Sequence, residues 1–391
     1  MNVKKKILFY HEQFPSGGAE RVTMDIAQFL ADSCYEVHLI VSQLAGEVKA
    51  LMTINEIPGH YTLKDSETWD YIVSYISDND INIFILPITP CYGLLEKIRC
   101  STSCRIVFAH HGMPMYEAKS LKARKKLKRC GNFLKRLEYY VVTYPKMNWL
   151  KVYDNRFGMP YKKTYDVCDA FVVLCDAYRE EWRKYMHITS VADKLVVIPN
   201  SERQVDDVNF QKKKIVLYSG RMSHGDKRVG RLLKIWKKVS KLAPDWSLIL
   251  VGDGPDFATI KDLANTLGLE RVSFVGYVSD VSPYYRDAAI LCLTSEWEGW
   301  GLSLTEAQAN GVVPVAMNCS AGVETILSPS GVNGVLVPHR DLDTFAVALL
   351  ELMHNPQKLA KMSRNVVQKV KEYDVEVIKR KWMALFDRLT E

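Results

Sequence analysis

Short β-rich runs alternate with amphipathic helical stretches along nearly all of the 391 residues, and no other feature constrains the fold as tightly. Strands separated by helices cannot pair as hairpins. They join through crossovers, which build parallel sheets covered by helices. In the first half, residues 7–10, 36–41, 81–86, 105–109 and 170–174 read as strands. After the first of these, a turn at Pro15-Ser16-Gly17-Gly18 leads into a helix with Val22, Ile26, Phe29 and Leu30 on one face. The pattern restarts after Val196-Val-Ile-Pro-Asn200, with strands expected at 214–219, 247–251, 272–275, 290–293 and 312–316. Leu232, Ile235, Trp236 and Val239 form the inner stripe of a helix over 231–242. The polar stretch 200–212 reads as a linker, so the expected class is α/β, with two doubly wound parallel-sheet domains facing across a cleft. Ligands of such sheets bind at the carboxyl ends of the strands, so the loops that follow strands are where chemistry is expected.

Composition narrows the class further. Apolar residues make up 48% and charged residues 25%, which excludes extensive disorder, collagen-like repeats and a disulfide-dense scaffold. The first eleven residues carry too few apolar positions for a signal peptide, and no run is long enough for a membrane span. Nine scattered cysteines, with Cys100 and Cys104 as a lone CxxxC, suit reduced thiols in the cytoplasm better than a zinc site. The formal charge is +7, but residues 117–163 hold 14 basic and 3 acidic side chains, a local +11 that leaves about −4 for the rest. The body is mildly acidic, with one basic segment. Nucleic acid is not an expected partner.

Five motifs end strands. The most informative is Ser295-Glu-Trp-Glu298-Gly299-Trp300-Gly301-Leu302-Ser-Leu-Thr-Glu306, which passes through glycines into a helix. Its free N–H groups suit a phosphate and its carboxylates suit sugar hydroxyls. Ser219-Gly220-Arg221, with Lys227 six residues on, supplies a planar fork and a point charge that together can clamp a diphosphate. Val251-Gly252-Asp-Gly-Pro255 and Val275-Gly276-Tyr277-Val278 are strand-then-glycine turns that line the same edge. Gly17-Gly18-Ala-Glu20-Arg21 opens the first helix; it is not GxGxxG, so a nicotinamide cofactor is not supported. His110 and His111 end the strand 105–109, where one of them can meet a sugar hydroxyl or a leaving phosphate.

Together with Tyr165-Asp-Val-Cys-Asp169, Ile198-Pro-Asn200 and Gly322-Val-Glu324, these residues resemble family 4 of the retaining nucleotide-sugar glycosyltransferases, over nearly the whole chain. The resemblance implies a GT-B fold of two Rossmann-like domains. Residues 1–199 would form the acceptor side and 200–372 the nucleotide-sugar domain, with a helix at 373–391 packing back toward the first. It implies that Arg221 and Lys227 hold the donor diphosphate, Glu306 the ribose and Glu298 the transferred sugar. Val278 would lie near the base and Gly17 or Gly18 beside the phosphate. Gly252, Gly299, Trp300, Gly301 and Leu302 complete the implied donor set, and the catalytic-region histidine corresponds to His111, with His110 as its rival. Three departures stand out: the Arg–Lys spacing is one residue longer than usual, Trp300 replaces the commoner Phe, and Ser303 stands where Pro often sits.

The implied reaction moves a sugar from a UDP- or GDP-sugar to a hydroxyl of a glycan or lipid-linked acceptor, with retention, in envelope or capsular polysaccharide synthesis. With no paired Asp at a strand end, the expectation is catalysis without a metal or other cofactor, the cations and helix N-termini neutralising the departing diphosphate. An epimerase or hydrolase on the same fold, or a nucleotide-sugar-binding protein without turnover, are the competing readings. In the basic segment, Ala123, Leu127, Cys130, Leu134, Leu137 and Val141 recur at steps of four and three, opposite a face of Lys and Arg. Tyr139, Tyr140, Tyr144 and Trp149 follow, so an anionic membrane surface is an expected partner and a peripheral position on the inner face of the membrane the expected location. The competing reading packs the apolar stripe onto its own domain.

Overall fold

The computed structural model describes all residues except 1–3, 16, 32, 47, 49–50, 61, 88, 127–128, 130–131 and 191–193. Ser16 of the first turn and Leu127, Lys128, Cys130 and Gly131 of the basic segment therefore lie outside the described residues. The chain divides into two compact units, Met1–Pro199 with Lys379–Glu391, and Asn200–Ile378.

Among the described residues, the N-terminal unit carries a seven-stranded sheet of β1 (Lys5–Phe14), β2 (Tyr35–Leu44), β3 (Thr53–Glu56), β4 (Ile83–Pro87), β5 (Arg105–Ala109), β6 (Ala170–Val173) and β7 (Leu195–Val197). The order is β3-β2-β1-β4-β5-β6-β7, and every pair is parallel. Helices cover the strands, so central ones such as β4 are buried along their whole length and read as continuous apolar runs. β1 outlasts its apolar run because its ladder with β2 continues through His11↔Val41 to Phe14↔Leu44. β3, absent from the sequence reading, is a half-exposed edge strand with one strongly apolar residue in four. The final helix, Val375–Thr390, belongs to this unit from Lys379 onward. Phe386 packs on Tyr35 with ring centroids 5.6 Å apart, and the Tyr35 hydroxyl donates to Asp387 Oδ1 at 2.7 Å.

The C-terminal unit holds a six-stranded parallel sheet of β8 (Ile215–Ser219), β9 (Ser247–Val251), β10 (Val272–Gly276), β11 (Ile290–Leu293), β12 (Val313–Met317) and β13 (Val335–Val337). Their order is β10-β9-β8-β11-β12-β13. The helix Val229–Val239 shows why the sequence folds this way. Leu232, Ile235, Trp236 and Val239 are fully buried against the sheet, while Lys234, Lys237 and Lys238 face outward. β13, three residues long, is too short to announce itself by pattern.

Candidate functional site

In the C-terminal unit the strand order reverses between β8 and β11, because the chain leaves β8 toward β9 on one side and later returns to β11 on the other. Such a reversal opens a crevice at the carboxyl ends of the two strands. The loops there bring Arg221, Lys227 and Glu298 into one polar cluster. Lys227 Nζ donates to Glu298 Oε1 at 2.7 Å, and Ser295 Oγ donates to the same oxygen at 2.6 Å. The Glu298 side chain is 8% exposed and that of Lys227 25%. Burial works against the Lys227 charge, but Glu298 overrides it and raises the pKa above the ordinary lysine value.

Arg221 Nη2 donates to Asp226 Oδ2 at 2.6 Å, with 63% of its side chain open to solvent. Asp226, in the longer spacer, is tied down on several sides. Ser223 donates to its carboxylate, and Glu296 N donates to its carbonyl at 2.6 Å. Burial raises the Asp226 pKa, yet the hydrogen bonds from Ser223 and Arg221 hold it below the usual range. The extra residue is thus absorbed in a hydrogen-bonded loop, and Lys227 still reaches Glu298.

The remaining donor-type residues divide by burial. Glu306, a turn into the helix Leu302–Ala309, accepts from the buried Tyr285 hydroxyl at 2.6 Å. Gly301 starts that helix with φ +95°, a left-handed conformation that favours glycine, beside the half-buried Gly299 and Leu302. Val278 is half-buried beyond β10. The Trp300 ring is 2% exposed and packs edge-on against Tyr373 at 5.1 Å, while its indole N–H is buried without a partner among the described residues. Gly252 has a backbone reason of its own. A Cβ there would stand 2.0 Å from the Gly220 carbonyl oxygen, and the Gly252 N–H donates to Gly276 O at 2.8 Å.

Sequence reasoning passed over Glu296. It is 4% exposed and forms ion pairs with Arg231 and Arg340. Burial would raise its pKa, but hydrogen bonds from Arg340 and Arg231 hold it down at about 2. It sits two residues before Glu298, but nothing in the sequence signals that partners 65 and 44 positions away converge on it.

In the N-terminal unit the order reverses between β1 and β4. A hollow of about 250 Å³ opens there, lined by Tyr10, His11, Glu20, Pro87 and Thr89 among others. His11 is buried; its Nε2 lies 2.8 Å from Thr23 Oγ1 and its Nδ1 3.6 Å from Glu20 Oε1. Burial pushes the Glu20 pKa up, but His11, with His111 beyond it, holds it below the ordinary carboxylate value. Gly17 and Gly18 are exposed at the start of the Gly18–Leu30 helix beside this hollow. A larger hollow, about 500 Å³, lies at the opposite ends of the strands near Lys5 and Arg105, away from the carboxyl edge.

The two histidines after β5 separate cleanly. His111 is half-buried and lies close enough to Glu20 to act on its charge. His110 is 4% exposed, its ring set among Phe108, Tyr161, Phe171 and Trp182 at centroid distances of 5.3–6.4 Å. Burial lowers its pKa to about 3, so it stays neutral. His110 is thus the more enclosed of the two, with its Nδ1 buried and without a partner among the described residues.

Two family models match the chain: Glycosyltransferase Family 4 over residues 16–201 and Glycosyl transferases group 1 over residues 200–369. The chain belongs to glycosyltransferase family 4. It is 32% identical over 222 residues to an uncharacterized glycosyltransferase of Haemophilus influenzae, covering 56% of this chain and 61% of that protein. It is 31% identical over 184 residues to the amylovoran biosynthesis glycosyltransferase AmsD of Erwinia amylovora, covering 47% and 51%. The chain thus spans about half to three-fifths of the length of these relatives. Its fold is that of Anabaena Alr3699/HepE solved in complex with UDP, with TM-score 0.73 and 17% identity over 98% of this chain and 100% of that one. The two parallel-sheet units are those of the GT-B fold.

Proposed function

We propose that this family 4 chain is a retaining glycosyltransferase of envelope polysaccharide synthesis. It moves a sugar from a UDP- or GDP-sugar to a hydroxyl of a glycan or lipid-linked acceptor, without a metal, on the inner face of the cell membrane. The observation that carries the reading is the Arg221, Lys227 and Glu298 cluster at the β8/β11 reversal. An exposed guanidinium and a lysine kept charged by Glu298 supply the positive field that a departing diphosphate needs. Glu298 and Glu306 supply carboxylate acceptors for donor hydroxyls. As the bond between the anomeric carbon and the phosphate oxygen breaks, its electron pair stays on the phosphate. That oxygen takes the proton of an acceptor hydroxyl attacking the same face, which keeps the configuration. The acceptor side is assigned to the β1/β4 hollow, with Glu20 and His111 at its edge.

AmsD, named for amylovoran biosynthesis, and the UDP-bound state of the Anabaena neighbour support the polysaccharide and nucleotide parts of the reading. The deciding experiment incubates the protein with a panel of UDP- and GDP-sugars, with and without excess chelator, and follows release of nucleoside diphosphate by NMR. The expected result is slow, chelator-insensitive hydrolysis of one donor, with the α or β configuration unchanged in the product. No release from any donor would overturn the transferase reading, and loss of release in chelator would overturn metal independence. Conversion of a donor into its epimer would favour the epimerase.

A further inference from the structure

The basic segment folds into the helices Tyr116–Lys126, Phe133–Glu138, Tyr139–Thr143 and Tyr144–Asn148, followed by the long helix Val152–Val167. Tyr139, Thr143 and Met147, four residues apart, are buried and fix the inner side. The outer side is apolar as well. Of the 19 large apolar residues that are exposed among the described residues, 11 fall between Phe133 and Met159. Phe133 is 77% exposed, Leu134 72%, Val141 64%, Trp149 73% and Leu150 63%. The stripe that the competing reading packs onto its own domain faces solvent at Leu134, Leu137 and Val141. A face merely solvated by lysines would not carry these side chains, and a monomer rarely leaves so many together.

Charge identifies the occupant. Arg124, Lys126, Arg129, Lys135, Arg136, Lys146 and Lys151 are exposed around the apolar residues, whereas Lys119 and Lys122 are engaged by Glu181 and Asp154. Aromatic and aliphatic side chains ringed by cations match the boundary between acyl chains and anionic headgroups. A protein partner would have to supply an apolar face and an acidic rim at once. We infer that the Phe133–Leu150 arm inserts into an anionic lipid bilayer, with Phe133, Leu134, Trp149 and Leu150 entering the acyl boundary and the surrounding Lys and Arg on the headgroups. This deepens the membrane part of the proposed function by naming the side chains that enter the bilayer.

The test is flotation of the full chain with vesicles of phosphatidylcholine containing about a third phosphatidylglycerol, at low and high salt. Wild type floats at low salt and keeps a measurable fraction bound at high salt, since the apolar contribution is not screened. Phe133→Ser/Trp149→Ser, both at exposed positions, should lower the bound-to-free ratio at least tenfold at high salt. Lys135→Gln/Arg136→Gln should lower it mainly at low salt. Light scattering on all three proteins reports a second copy as occupant. Absence of flotation in wild type, complete release by salt with no effect of the serine variant, or a dimer that the serine variant dissociates would each overturn the inference. Donor hydrolysis in solution is followed in parallel. A chain that floats without releasing nucleotide sinks the transferase reading and leaves the wedge standing; one that hydrolyses donor without floating does the reverse.

Discussion

Replacing Lys227 by Met keeps the length of the side chain and removes the charge that faces Glu298. At their separation of 2.7 Å, Coulomb's law with an effective dielectric of about 20 gives roughly 6 kcal/mol of gross attraction. A quarter of the lysine meets water and both ions have given up hydration, which cuts the net to about 2–4 kcal/mol. In a domain the size of Asn200–Ile378, each kcal/mol moves the unfolding midpoint by about 2–4 °C, so the midpoint should drop by about 4–16 °C. Adding Glu298→Gln should recover at least half of that loss, because a buried neutral amide needs no counter-charge. Affinity for UDP or GDP, measured by calorimetry, should stay low in both proteins, since neither has the ammonium for the phosphates. A single variant that melts with wild type, or a double variant no more stable than the single, would refute the buried pair. Wild-type nucleotide affinity in the double variant would refute the phosphate role.

Three further outcomes follow from the same geometry. Arg221→Ala should weaken nucleoside diphosphate at least tenfold, the equivalent of about 1.4 kcal/mol, and leave the nucleoside nearly unchanged; equal losses for both would contradict a phosphate contact. Glu306→Gln keeps the shape beside Tyr285 but loses the charge, and donor turnover should fall at least tenfold with the melting curve preserved; an unchanged rate argues against a ligand role. His110 titrates near 3 in the fold and near 6.5 in the unfolded chain, so as pH falls through that window only the unfolded state takes up the proton. Its stabilising contribution is complete above about pH 6.5 and shrinks by up to about 1.4 kcal/mol per unit below it. His110→Phe should flatten the fall in urea midpoint between pH 7 and pH 5, and parallel slopes in the two proteins would show that His110 is not the titrating group.

The parallel-sheet architecture was legible because central strands buried on both faces, such as Ile83–Pro87 and Ile290–Leu293, leave continuous apolar runs that few other elements produce. Edge strands of three or four residues leave no such trace, which is why Thr53–Glu56 and Val335–Val337 escaped. Lys227 and Glu298 were legible as types at strand ends, though their direct pairing was not, since it depends on how two loops 71 residues apart meet. His110 and His111 show the limit most plainly. Adjacent residues at a strand end point to opposite sides, and only the packing of Tyr161 and Trp182 tells which side is core. The burial of the Trp300 ring was hidden for the same reason: Tyr373, 73 positions on, covers it.

The glycine contacts behind β8, β9 and β10 bear on how such a protein can diverge. Gly220, Gly252 and Gly276 meet backbone to backbone, with no room for even one methyl group between Gly252 and Gly220. Three loops are thereby welded into a shelf whose shape owes nothing to side chains. Substitutions at Tyr277, 79% exposed, or at Val278 can therefore accumulate without shifting the shelf on which Arg221 stands. In a mutational scan, the glycines should be nearly invariant while their exposed neighbours accept most residues. A lineage built on this plan can exchange the side chains beside that shelf many times over, and keep one backbone platform under Arg221 throughout.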